Sequence, residues 1–195
     1  MKGGGFLDSV LIVSGTEKST AFFTDFLSEN SCNKIVTARN CGEARRIMID
    51  RDFDLCIINT PLPDEFGSSL AVNIAARGAG QVIMIVKSEL YDEVSAKVEE
   101  NGVFTIAKPL NRQILWSALK LAAAAYNKMV KLKQENGKLL QLIDDIRFID
   151  RAKCILIQYL NMTEAEAHRH IEKQAMDMRI TRKQVAKDIL KTYET

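Results

Sequence analysis

Five short apolar runs alternate with amphipathic stretches over the first half of the chain. The runs cover residues 9–14, 34–38, 55–59, 81–86 and 104–107, and turn-forming residues bound them, which is typical of buried strands. The stretches between them, 16–30, 41–50, 68–76 and 91–101, carry apolar residues at helical spacing. Parallel strands need crossover helices, so this alternation predicts an α/β doubly wound parallel five-stranded sheet covered on both faces.

A long helical stretch follows, from residue 111 to about residue 150, with no proline and a single glycine, Gly137. Its apolar positions recur at steps of four and three, with one three-residue stammer, as in a heptad seam. The predicted seam consists of Leu115, Leu119, Ala122, Tyr126, Met129, Leu132, Asn136, Leu139, Ile143 and Ile146. A helix of ~40 residues would be about 60 Å long, more than one small domain needs. We therefore expect a coiled-coil homodimer rather than a helix packed on its own domain.

The remaining residues predict three short helices. The first covers 150–161, and Tyr159 is expected in its core-facing stripe. Thr163 with Glu166, and Thr181 with Gln184, have the spacing of two capping boxes, which would open the second and third helices.

Composition narrows the functional classes only a little. The chain has 195 residues, 47% of them hydrophobic, with 27 basic and 25 acidic side chains. A polyanionic partner therefore requires the positive charge to be gathered on one surface. Four scattered cysteines argue against a disulfide framework or a zinc site, and no triad, phosphate loop or metal cluster indicates an enzyme. We expect a cytoplasmic protein with no cofactor, no metal and no membrane segment.

The N-terminal half resembles the receiver domain of two-component response regulators, a flavodoxin-like fold, over roughly residues 8–120. The resemblance lies in the order of the five strands, in the turn at 61–67 after the third strand, and in Lys108 followed by Pro109 after the fifth.

The resemblance also implies a phosphorylation pocket, and this sequence departs from it. A working receiver has two acids after strand one, an aspartate at the end of strand three and a Ser or Thr after strand four. The matching positions hold Ser14 and Gly15, then Asn59, then Val86, and only Lys108 remains. An amide is a poor nucleophile, and Mg²⁺ lacks its oxygen ligands. We therefore expect a pseudo-receiver, in which Lys108 donates to Asn59 or to a backbone carbonyl.

Two other acids near the third strand are weaker candidates for a phosphoacceptor. Asp54 precedes that strand, and Asp64 lies in the following loop, where aspartate commonly serves a turn. We expect neither to replace the missing aspartate.

The C-terminal stretch resembles the ANTAR domain, the RNA-binding module of a group of antiterminators. The resemblance lies in residues 149–156, 166–167, 175–179 and 185–186, although Cys154 stands where the family usually has glycine. It implies three parts: a pseudo-receiver at 1–112, a coiled-coil helix at 113–147 and a three-helix RNA-binding domain at 148–195. The cations expected at RNA are Lys153, Arg169, Lys173, Arg179, Arg182 and Lys183.

The function implied by this resemblance is transcription antitermination. A homodimer would bind RNA stem-loops and so keep an overlapping terminator from forming. Control would come from a sensory protein or a ligand on the pseudo-receiver, or from the expression level. Two alternatives remain open: a helix-turn-helix DNA-binding regulator with residues 181–190 as its recognition helix, and a dimeric adaptor without a nucleic-acid role.

Overall fold

The computed structural model describes residues 8–30, 32, 34–78 and 80–193. Its strands are β1 (Ser9–Ser14), β2 (Lys34–Ala38), β3 (Leu55–Asn59), β4 (Gln81–Lys87) and β5 (Val103–Lys108). They form one sheet in the order β2-β1-β3-β4-β5, and every pair is parallel. The predicted five-stranded parallel sheet is confirmed.

Seven α-helices lie in the described part of the chain. They are α1 (Glu17–Glu29), α2 (Cys41–Asp50), α3 (Ser68–Arg77), α4 (Tyr91–Val98), α5 (Arg112–Leu160), α6 (Glu164–Met178) and α7 (Arg182–Tyr193). The fourth helix was predicted to reach residue 101, but its last turn is the 3₁₀ segment Glu99–Asn101, which ends at Gly102 with φ 77°.

The sheet buries both of its faces because successive strand residues point to opposite sides. Leu11 and Ile58 belong to the core on one face, and Ile12 and Ile57 belong to the core on the other; all four are fully buried. Continuous apolar runs are required for such strands, which is why the sequence predicts them well.

The first turns of α5 belong to this same core. Leu115, Leu119 and Ala122 are at most 1% exposed and pack with the residues of one sheet face. Tyr126 is half-buried, and its burial together with a hydrogen bond to Asp54 raises its pKa to about 12. The prediction that Leu115, Leu119 and Ala122 form a dimer seam is therefore wrong, because their own domain already covers them.

The chain divides into two compact units, Met1–Val130 and Lys131–Thr195. The predicted boundary at 112/113 falls at the start of α5, and that at 147/148 falls inside it, since α5 is one continuous helix of 49 residues. The division into three parts stays a prediction, but residues 113 to 130 belong with the sheet.

The second unit has a small core between the end of α5, α6 and α7. Its buried residues include Leu156, Ile171 and Val185, each at most 1% exposed. The Thr163 capping box at the start of α6 is confirmed with both of its hydrogen bonds. At α7, Thr181 accepts from the Gln184 amide at 3.2 Å, but the Gln184 side chain donates to Asp188 instead of returning to the cap.

Candidate functional site

Asn59 lies at the carboxyl end of β3, directly opposite Ser14 in the pairing of β1 with β3. Its side-chain amide donates to the Ser14 hydroxyl at 3.1 Å, and the two residues are 8% and 1% exposed. Where a working receiver would gather carboxylates, two neutral side chains therefore satisfy each other in a buried position.

Gly15 follows Ser14, is exposed, and faces Pro63 in the loop that comes after β3. A Cβ atom added at Gly15 would come within 3.0 Å of Pro63 Cδ, which is tighter than ordinary packing. An aspartate at this position would need the Pro63 ring to shift. The exposed Gly15 position thus has little room for a side chain on the side of Pro63.

Lys108 ends β5, and its ammonium donates to the Thr60 carbonyl at 2.5 Å. This is one of the two structural roles expected of it. Burial, together with the neighbouring charge of Lys87, lowers the pKa of Lys108.

Val86 occupies the position of the missing hydroxyl on β4 and is fully buried. The nearby hydroxyl of Ser88 donates to the Lys108 carbonyl. Ser88 is therefore engaged with β5 and does not supply what Val86 lacks.

The two other acids have structural partners. Asp54 accepts from the backbone amides of Asp8 and Ser9, both at 2.9 Å, and so anchors the start of β1. Asp64 accepts from the amides of Cys41 and Gly42 at 3.1 and 2.9 Å, at the first turn of α2. Partial desolvation raises the pKa of Asp64, but these amides outweigh it and hold the pKa below its ordinary value.

Three of the six cations predicted at RNA are held by carboxylates. Lys153 is only 16% exposed and binds Asp150 at 2.8 Å and Glu164 at 3.2 Å, which together raise its pKa. Arg182 binds Glu172 at 3.1 Å, and Lys183 binds Asp145 at 2.6 Å. These three side chains tie α5, α6 and α7 to one another.

The other three predicted cations are exposed and have no ion pair within 4.0 Å among the described residues. Arg169 and Lys173 lie one turn apart on α6, on the side away from its buried residues Ala167 and Ile171. Arg179 follows α6 with φ 54° and ψ 40°, a left-handed conformation that glycine usually occupies at this position. Three of the six predicted cations are thus paired with carboxylates, and the other three are free to meet a ligand.

Comparisons with known proteins give matches for both units. The family model of the ANTAR domain matches residues 138–190. The transcriptional regulatory protein PdtaR of Mycobacterium tuberculosis is 28% identical over 142 residues, which cover 73% of this chain and 69% of PdtaR.

The first unit is similar to solved receiver domains. One is the receiver domain of an HD domain-containing protein from Pseudomonas fluorescens, with TM-score 0.58, 21% identity, and coverage of 67% of this chain and 97% of that chain. Another is a CheY-like receiver domain from Methanospirillum hungatei, with TM-score 0.57, 22% identity, and coverage of 63% and 98%. The chain joins a receiver-like domain to an ANTAR domain. No helix among the residues the structure describes is both long and apolar enough to span a membrane.

The ANTAR domain also carries a row of lysines on α7, of which the sequence analysis named Lys183 and missed Lys187 and Lys191. Lys183, Lys187 and Lys191 recur at every fourth residue of α7 and so lie along one side of it. The ammoniums of Lys183 and Lys187 lie 5.6 and 5.1 Å from the centroid of the half-buried Phe148 ring on α5. The four-residue spacing was visible in the sequence, but the pairing with Phe148 needs the packing of α7 on α5.

Tyr159 was expected in the core of the ANTAR domain, and this is wrong. It is 56% exposed, and its ring lies 5.5 Å from that of Tyr193 at the end of α7. Two aromatic side chains of α5, Phe148 and Tyr159, thus lie beside α7 and remain partly exposed to solvent.

The remaining seam residues of α5 lie on both sides of the boundary between the two units. Met129 is half-buried just before the boundary. Beyond it, Leu132, Leu139, Ile143 and Ile146 are 47 to 57% exposed, and Asn136 is exposed as well. The stammer between 129 and 132 coincides with the change from a buried to an exposed stripe.

Proposed function

We propose that this protein is an RNA-binding transcription antiterminator, which stabilises RNA hairpins and so prevents termination. The observation that carries the proposal is the lysine row of α7 beside the Phe148 ring in the ANTAR domain. Phosphates of RNA are bound by rows of cations, and unpaired bases of a loop stack on aromatic rings.

The chemistry of this surface fits a looped RNA better than a plain duplex. In the free protein, the ammoniums of Lys183 and Lys187 lie close to the Phe148 ring. Lys187 has no ion pair among the described residues, so it is able to move onto a phosphate while a base takes its place on the ring. A duplex offers no unstacked base for that ring.

The ion-paired cations have a different part in the proposal. Lys153, with Asp150 and Glu164, fixes the end of α5 against the start of α6. Arg182 and Lys183 fix the start of α7 in the same way. We infer that these three position the interface, while Arg169, Lys173 and Arg179 form a second cationic surface on and after α6.

The proposal includes a homodimer formed through the exposed stripe of α5. Leu132, Asn136, Leu139, Ile143 and Ile146 keep an unbroken heptad spacing. Exposed apolar side chains in that pattern are stabilised when a second copy covers them. Two ANTAR domains would then be held together and bind two hairpins.

Control is proposed to act without a phosphoryl group on Asn59. Ser14, Gly15 and Asn59 stand at the positions of the missing acids, and the Asn59 amide donates to the Ser14 hydroxyl. A sensory protein or ligand on the receiver-like domain, or the expression level, would then set the activity. We infer a regulatory and non-catalytic protein that acts in the cytoplasm.

Capture of bound transcripts tests the RNA proposal. We expect the wild-type protein to enrich paired short hairpins that overlap terminators. The double variant Lys187→Gln/Lys191→Gln should bind such an RNA more weakly, and the slope of log affinity against log salt should fall by about one per lysine.

The matched control removes two lysines from the receiver-like domain, Lys34→Gln/Lys120→Gln, and should bind as the wild type does. Equal binding by both double variants would show that the α7 surface is not the interface. A preference for a specific DNA duplex would favour the helix-turn-helix alternative, and no salt-dependent binding to any RNA would favour the adaptor.

A further inference from the structure

A cavity of about 410 Å³ opens beside Asn59 and Lys108 in the receiver-like domain. Its apolar walls include Phe22 and Phe23 of α1, Ile85 of β4, and Leu110. The volume is in the range of small-molecule sites, which are concave and mostly apolar with a few well-placed polar groups.

The charged side chains that line this cavity have one sign. Lys18 and Lys108 line it, and none of its lining residues, all within the described part of the chain, is an aspartate or a glutamate. Of the positions at which a working receiver would hold acids, Asn59 lines this cavity, and it carries no charge. Two cations and no carboxylate line the cavity, so it attracts an anion.

Lys108 has donors to spare for such an anion. A lysine ammonium has three N–H groups, and the Thr60 carbonyl uses one of them. Lys18 is exposed at the rim and has no ion pair within 4.0 Å among the described residues. A carboxylate or phosphate group can thus be bound by two cations without breaking an existing pair.

The aromatic side of the cavity favours a ligand with an apolar body. Phe22 is 37% exposed, and its ring centroid lies 5.3 Å from that of Phe23 in an edge-on arrangement. A ring or short alkyl chain placed against Phe22 would remove apolar surface from water.

We propose that this cavity binds a small amphipathic organic anion, whose charged group contacts Lys18 and Lys108 and whose apolar body packs against Phe22 and Leu110. The binding itself does not depend on RNA. That the ligand also controls the ANTAR domain rests on the function proposed above.

Titration of the full chain with matched small molecules tests the proposal. The probes are phenylacetate, hexanoate and phenyl phosphate, with phenylacetamide as the neutral counterpart and acetate as the anion without an apolar body. Binding is followed by calorimetry and by backbone amide NMR shifts, without RNA. We expect at least one amphipathic anion to bind, to shift residues of the cavity, and to bind about ten-fold more tightly than phenylacetamide, the effect of one charge-assisted hydrogen bond.

Variants locate the site. Lys18→Met and Lys108→Met should each weaken binding of the anion by about ten-fold, while Lys34→Met, at the amino end of β2, should leave it unchanged. Lys18 is exposed, so its variant tests the site even if Lys108→Met unfolds the domain. The proposal is overturned if no amphipathic anion binds, if phenylacetamide binds equally well, or if Lys18→Met binds as tightly as the wild type.

Failure here leaves the RNA proposal standing, because hairpin capture is measured without these probes. Conversely, anion binding by a protein that captures no RNA would retain the site and remove its link to the ANTAR domain.

Discussion

Asn59, the last residue of β3, stands where a working receiver would carry its phosphoryl group. The Asn59 amide is buried and donates to Ser14. Replacing it with a carboxylate alone does not restore the acid pair that would hold magnesium, since Ser14 and Gly15 still stand at those positions.

Asn59→Asp should therefore remain unmodified when incubated with acetyl phosphate and Mg²⁺, as judged by intact mass. The variant should also lose about 1–3 kcal/mol of the free energy of unfolding in urea, because a buried carboxylate is desolvated and the donor to Ser14 is lost. A mass gain of one phosphoryl group that is absent from the wild type would contradict this account of the pocket.

The lowered pKa of Asp64 predicts how the free energy of unfolding depends on pH. Its pKa in the folded protein lies below the ordinary value of 3.8, because amides at the start of α2 outweigh partial desolvation. A carboxyl group with a lowered pKa stabilises the fold above its ordinary pKa, and that contribution disappears as the pH falls through the folded pKa. The wild type should thus be more stable than Asp64→Asn at neutral pH, and the difference should shrink below about pH 4. Urea unfolding at several pH values measures it, and a difference independent of pH would argue against the assignment.

At the scale of elements, the sequence predicts the strands well and the ion pairs poorly. Residues 55–59 had to form a buried strand because all of them are apolar except the last. Lys183 was equally visible, but its partner Asp145 lies on another helix, and no periodicity brings the two together. The sequence therefore predicts these cations as candidates for an interface, but not which of them are already ion-paired within the domain.

The long helix α5 shows the same limit: the sequence pattern does not reveal which surface packs against it. Its heptad spacing predicts an apolar stripe but not what covers it, and the first turns of that stripe pack on the sheet. The three-residue stammer between 129 and 132 indicates where the covered part of the stripe ends and its exposed part begins. A stammer shifts the direction in which the stripe faces.

We predict that Ile143→Glu converts the proposed homodimer to a monomer, measured by sedimentation at micromolar concentration. Ile143 is 47% exposed in one chain, so the charge should act on association and not on the folding of the subunit. Gln141→Glu, on the outer side of the same helix, is the matched control and should remain dimeric. A monomeric wild type would remove the homodimer from the proposed function.

At the scale of the whole molecule, the boundary between the two units predicts which fragments fold. A fragment of residues 1–130 keeps Leu115, Leu119 and Ala122 on the sheet, and a fragment of residues 1–112 loses them. Each buried leucine contributes about 1.5–3 kcal/mol, so the two leucines alone are comparable with the whole stability of a small domain.

The longer fragment should therefore unfold in one cooperative transition by circular dichroism, and the shorter one should lack such a transition. Equal cooperativity in both fragments would place the domain boundary at 112/113, as the sequence first indicated.

The left-handed backbone at Arg179 has a consequence for how this protein would adapt to heat. An arginine in that conformation costs about 1 kcal/mol more than a glycine, yet its side chain is exposed and supports no part of the core. Laboratory evolution toward thermal tolerance alone should replace it early with glycine or asparagine. Retention of arginine under such pressure would show that the side chain is kept for something other than the fold.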